Sequence, residues 1–202
     1  MNYIKSAASI CIILVTGCGS STSSSSTSTT EAAPGYATPS EAVQAFYEAF
    51  AEQDLEKAKS ASVLNDKVLE YLKTNIQLFK SMDDFALADA EFFGAEGAMG
   101  VGLAGASALA AIQGIEPELI DETHATFAIN PNSPMKLLKG PTGWKVDFTG
   151  PENAQFLELS TDAFGRTISM FVELRSKIKD GTLSTRAESR AEMAKLKSKY
   201  GL

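Results

Sequence analysis

Along much of the chain, apolar residues recur at intervals that fit helices. Thr38-Pro39-Ser40-Glu41 joins a capping hydroxyl, a proline suited to a first helical position and a glutamate at capping-box spacing. Val43, Phe46, Tyr47 and Phe50 follow at i, i+3, i+4 and i+7, predicting a helix with one buried stripe. Gln53-Asp54 interrupts the pattern, and Asp54 is placed to cap a short second helix through Leu55 and Ala58. Asn65 or Asp66 opens a third, with Val68, Leu72, Ile76 and Phe79 on one face.

Between Gly97 and Ile115 no residue is charged, and glycine and alanine dominate. Ala98, Gly102, Ala106 and Ala110 recur every fourth residue, a strip of small side chains that would let another backbone approach. It is similar to glycine-zipper segments of envelope proteins. Burial inside the domain, or a mobile loop, is the simpler expectation than membrane contact, because alanine and glycine contribute little to insertion.

The period then shortens to two. Thr123, Ala125, Phe127 and Ile129 alternate with Glu122, His124 and Thr126, which predicts a half-buried strand. Asn130-Pro131-Asn132-Ser133-Pro134 is a dense turn signal. Met135 to Lys139 and Trp144 to Phe148 read as a hairpin across Gly140-Pro141-Thr142-Gly143, with Trp144, Val146 and Phe148 sharing a face. Pro151 introduces a long helix whose stripe is Phe164, Ile168, Phe171, Leu174 and Ile178, and Asp180-Gly181 ends it. Thr185 and Glu188 form a second capping box. The final helix then has acidic residues early and Lys195, Lys197 and Lys199 late, as the helix dipole favours.

The amino terminus carries a different signal. One positive charge at Lys5 precedes an apolar run to Val15, about ten residues long, where a membrane-spanning helix needs roughly twenty. The run closes in Val15-Thr16-Gly17-Cys18, which resembles the lipobox of bacterial lipoproteins. The resemblance implies lipidation of Cys18, cleavage just before it and a place in the bacterial cell envelope, with the domain outside the cytoplasm. Cys11 would leave with the signal, so the mature chain would hold no free thiol, disulfide or thiolate metal site. Residues 19–33 are nearly all serine and threonine, a composition expected to stay a tether with a reach of about 20–25 Å. The expected organisation is a signal peptide over 1–17, lipidated Cys18 and linker over 18–35, an α+β domain over 36–150, and a C-terminal helical extension over 151–202 packing on it.

The 202 residues, 44% of them hydrophobic, suit one domain, or one with an accessory helical piece; they are too few for two full enzyme domains. With 18 basic and 25 acidic residues the net charge is −7, which argues against a nucleic-acid partner. From Arg166 to the end there are nine basic and four acidic residues, 9 − 4 = +5. That excess reads as a solvated face balancing the acidic half, with anionic lipid or an acidic partner as the alternative.

Two stretches carry a fold resemblance. TPSEAVQAFYEAFAEQDLEKAKS resembles the first two helices of nuclear-transport-factor-2-like domains, and MKLLKGPTGWKVDF is similar to their last hairpin. The resemblance implies N-terminal helices packed on a small curved antiparallel sheet, a cone that often leaves a pocket. The Gly/Ala middle and the two C-terminal helices depart from that pattern. The superfamily includes enzymes and binding proteins alike, so the fold alone does not name an activity.

Candidate chemistry is sparse. Gly100-Val101-Gly102-Leu103-Ala104-Gly105 matches G-x-G-x-x-G in letters, but the preceding residues are broken by Gly94 and Gly97 and no βαβ series follows, so no cofactor is expected. His124, the one histidine, shares a strand face with Glu122 and Thr126 and is expected in solvent, or else lining a concave pocket. Asp83, Asp84, Asp89 and Glu91 read as a solvated acidic face with some capping. No catalytic residue and no metal ligand set is identified. The expected function is a non-catalytic binding or interaction module at the envelope, its partner an envelope protein or a small hydrophobic ligand. An acid-base enzyme of the same fold, or a structural protein associating through the Gly/Ala helix, are the alternatives.

Overall fold

A computed structural model describes residues 35–129 and 134–202. The signal sequence, Cys18, the Ser/Thr-rich linker and the turn residues 130–133 lie outside the described residues. The described part belongs to one compact unit, Ala32–Leu202. It is an α+β fold: a four-stranded antiparallel sheet and, among the described residues, six α-helices.

Helix α1 (Pro39–Ala51) starts at the expected capping box, with the Thr38 hydroxyl and the Glu41 carboxylate each bonded to the other's backbone N–H. Asp54 caps α2 (Leu55–Ser60), and Asn65 caps α3 (Asp66–Phe93). At 28 residues, α3 outruns the stripe that ended at Phe79. It continues because its second half buries Phe85, Ala86 and Ala88, and because its acidic residues meet cations from later helices.

Helix α4 (Leu103–Ile112) corrects the expected small-residue strip. Ala98 and Gly102 precede the helix, Gly102 with a left-handed φ of 73°, and Ala106 and Ala110 are exposed. The close approach is at Gly105, where a Cβ would stand 2.7 Å from the Ala51 Cα of α1. The contacting face holds Gly105, Leu109 and Ile112, about 100° around the helix from the expected strip.

Strands β1 (Glu118–Leu119), β2 (His124–Phe127), β3 (Met135–Gly140) and β4 (Gly143–Asp147) form a meander in that order. The two-residue β1 was not legible in the sequence. The β3–β4 turn occupies Pro141-Thr142, with Gly143 at φ 126°. Leu137 pairs with Ala125 on one side and Val146 on the other, all three buried, so one sheet face is turned to the core. The outer edge of β4 is met by Tyr36, which exchanges backbone hydrogen bonds with Trp144, and by Ala61 and Val63, which bond to Val146.

A single 3-10 turn, Pro151–Asn153, leads into α5 (Ala154–Lys179), and α6 (Arg186–Tyr200) begins at the expected Thr185–Glu188 capping box. Two cores result. One joins α1, the sheet and the first half of α3 around Phe46, Leu72, Trp144 and Val146. The other joins the second half of α3 with α5 and α6 around Phe85, Met170, Leu174 and Ile178. No helix among the described residues is long and apolar enough to cross a membrane.

Candidate functional site

A concavity of about 620 Å³ lies between α1, α3, α4, the sheet and the start of α5. Its wall is mostly aromatic. Phe46, Tyr47 and Phe50 come from the α1 stripe, Phe127 from β2, and Phe148 from the end of β4. Phe46 and Phe50 meet edge-on at 4.8 Å, and Phe50 stacks on Phe79 at 5.9 Å. Phe148 stacks on Phe156 of α5 at 6.1 Å, and Phe156 remains 45% exposed. Such rings hold one another in fixed orientations and leave flat apolar surface facing the space between them.

Polar side chains interrupt this wall. Tyr71 and Asn75 sit one turn apart on α3, in line with Phe79, and both are buried. The Asn75 carboxamide lies 3.4 Å from the Tyr71 hydroxyl, a long hydrogen bond. Burial pushes the Tyr71 phenol up to about 12, with the nearby Tyr47 adding to the effect. Burial also raises the Tyr47 phenol. Both therefore remain protonated at neutral pH. Lys136 and Glu152 form an exposed ion pair that also borders the cavity, and Lys136 holds the Glu152 carboxyl below its ordinary range.

The apolar stripe of Val68, Leu72 and Ile76 does not by itself reveal the Tyr71–Asn75 pair. A signal existed: Tyr71, Asn75 and Phe79 at i, i+4 and i+8 place a phenol, a carboxamide and a ring on one side of a helix.

The other sequence candidates lie elsewhere. His124 is exposed and does not line this cavity; its Nδ1 is 3.0 Å from the Asp121 carboxylate and 2.9 Å from the Thr123 hydroxyl. The Thr123 backbone N–H, with the His124 ring and the Thr123 hydroxyl, holds Asp121 well below the usual carboxylate range. The Gly100–Gly105 segment follows a helix rather than a strand, and the Gly102 N–H donates to the Asp83 carboxylate at 2.7 Å. A phosphate reading of that segment loses both its strand and its free amide.

The acidic residues also depart from expectation. Asp89 is buried and accepts from Arg186 Nε at 2.9 Å, and Asp84 accepts from Arg175 at 2.9 Å. Asp83 accepts from Gln53 as well as from Gly102, and only Glu91 lies in solvent as expected. Asp84 and Asp89 tie α3 to α5 and α6 because their cations, Arg175 and Arg186, arrive from far along the chain. Six of the nine basic residues from Arg166 onward are engaged in ion pairs with carboxylates. A smaller cavity of about 370 Å³ lies beside Phe85, Met99, Arg186 and Met193 at this helical end. Among the described residues, no three His, Cys, Asp or Glu side chains converge as a metal site requires.

No protein-family model matches the chain, and no curated protein or solved structure matches it either.

Proposed function

We propose that this chain is a lipid-anchored envelope protein whose folded unit binds a small apolar ligand without transforming it. The observation that carries this reading is the aromatic cavity of about 620 Å³, a size that accommodates a small organic molecule. The lipobox at Val15–Cys18 supports the envelope location, with acylated Cys18 holding the unit at a membrane surface. A nuclear-transport-factor-2-like cone is the fold proposed for it, supported by capped N-terminal helices lying against an antiparallel sheet that ends in a Trp-Lys-Val strand.

The acid-base alternative draws no support from the cavity. A carboxylate beside a tyrosine in its interior would favour it; here the buried polar groups are phenol and carboxamide, and Glu152 is exposed in an ion pair. The structural alternative keeps a shorter strip than expected, since Ala98 and Gly102 precede α4 and only Ala106 and Ala110 lie exposed on it.

The test uses the full chain carrying Cys18→Ala, which cannot be acylated, titrated with the neutral fluorescent probe N-phenyl-1-naphthylamine. A saturable blue-shifted signal of one probe per chain is expected, weakened at least about tenfold by Ala108→Phe, which fills the cavity from α4. A signal indifferent to Ala108→Phe would move the ligand elsewhere. Separately, labelled palmitate should be incorporated by the wild-type chain in bacterial cells and lost in Cys18→Ser.

A further inference from the structure

The Tyr71–Asn75 pair has more hydrogen-bonding capacity than the described residues use. Each residue is 7% exposed, both line the cavity, and their contact at 3.4 Å is the one side-chain hydrogen bond either makes among the described residues. Tyr47 lines the same space, and its hydroxyl has no hydrogen-bond partner among the described residues. If the carboxamide donates to Tyr71, the phenol proton and the Asn75 Oδ1 are left over. If the carboxamide is turned over, the phenol oxygen and the amide protons are left over. In either arrangement one donor and one acceptor are left without a partner among the described residues, side by side, at the cavity.

The charges are arranged differently. The cavity's charged lining residues are Lys136 and Glu152, and they neutralise each other. A carboxylate or ammonium brought against the phenols would lose its hydration and find no counter-charge. A methyl or ring edge placed there would leave the donor and acceptor unmet. The chemistry that answers both is a neutral group that gives and takes a hydrogen bond at once, on a body flat enough to lie against rings.

Resting on the ligand-binding reading above, we infer that the cavity selects an uncharged, flat, apolar molecule bearing a hydroxyl group, which seats between Tyr71 and Asn75. Tyr71 and Asn75 are then the specificity-determining residues, while the phenylalanines supply affinity without discrimination.

Calorimetric titration of the full Cys18→Ala chain with three probes of one shape separates the possibilities: 2-naphthol, 2-methylnaphthalene and 2-naphthoate, near neutral pH. The expected result is 2-naphthol bound about tenfold more tightly than 2-methylnaphthalene, with 2-naphthoate weakest. Tyr71→Phe and Asn75→Leu should each shrink the naphthol preference to about twofold or less while leaving 2-methylnaphthalene unchanged. That retained hydrocarbon binding certifies that each variant still folds around the cavity. Equal binding of naphthol and methylnaphthalene, or tightest binding of naphthoate, overturns the hydroxyl inference and leaves the ligand-binding reading standing. Binding of none of the three overturns both.

Discussion

The two halves of α3 line cores built on different terms. At the sheet end, the helix meets rings from α1, β4 and α5, a cavity remains among them, and phenol and carboxamide groups are buried with capacity to spare. At the helical end, aliphatic side chains such as Leu174 and Ile178 are fully buried, and the surrounding carboxylates are answered by arginines and lysines. Most charged groups at that end hold helices together, although the Nε atoms of Arg166 and Arg175 are buried without a hydrogen-bond partner among the described residues. At the sheet end Tyr71 and Asn75 face the cavity with one hydrogen bond between them among the described residues. On the proposed ligand-binding reading, stability and recognition are separated along a single helix.

Substitutions at the helical end should break the comparison most visibly. Asp89→Ala removes the carboxylate paired with Arg186, whose side chain is 18% exposed and keeps only the backbone carbonyls of Asp89, Gly94 and Glu96, and should cost about 3–5 kcal/mol in chemical denaturation. Leu174→Ala, at a fully buried site, should cost about 2–5 kcal/mol by the same measurement. Neither should change probe affinity while the protein remains folded. Tyr71→Phe, by contrast, should change stability by about 1 kcal/mol or less, since it removes one long hydrogen bond. A loss as large as that of Leu174→Ala would mean that the phenol is structural and would erase the distinction between the ends.

Gly105→Val tests the seam that closes the cavity. The added side chain collides with Ala51 and should cost about 1–3 kcal/mol, loosening α4 from α1 and weakening the N-phenyl-1-naphthylamine signal as well.

The pH dependence has opposite signs at the two ends. The Tyr71 phenol is raised from 10.0 to about 12, so its contribution is present below pH 10 and fades as pH rises toward 12; Tyr71→Phe should remove that alkaline loss. At the helical end, Lys199, then Lys177 and Tyr200, lower Glu173 to about 2. Its contribution is present above its ordinary value of 4.5 and fades as pH falls toward 2. Thermal melts across both ranges read these trends, and Glu173→Gln should flatten the acid one slightly, because the group is solvent-screened.

Much of this was legible in the chain because helix starts are local. Thr38, Asp54, Asn65 and Thr185 announce their helices through side chains that reach only three residues ahead. The hairpin was equally local, carried by a glycine turn and a period of two. What escaped depended on distant partners. Asp89 reads as solvent-facing until Arg186, 97 residues later, is folded against it. The packing face of α4 depends on which side α1 approaches, and the strip at Ala106 and Ala110 was the wrong side by one residue. The cavity escaped for the same reason. Its aromatic residues were visible as separate core stripes, and only the fold places Phe127, Phe148 and Phe156 around Tyr71 and Asn75.

Chemical-shift mapping of the isotopically labelled Cys18→Ala chain with 2-naphthol tests the separation of the two ends most directly. The account predicts saturable shifts at the Asn75 side-chain amide, the Tyr71 ring, Ala108 and Phe127, with Phe85, Met99 and Met193 unmoved. Shifts centred on Phe85, Met99 and Met193 would place recognition at the helical end and contradict it.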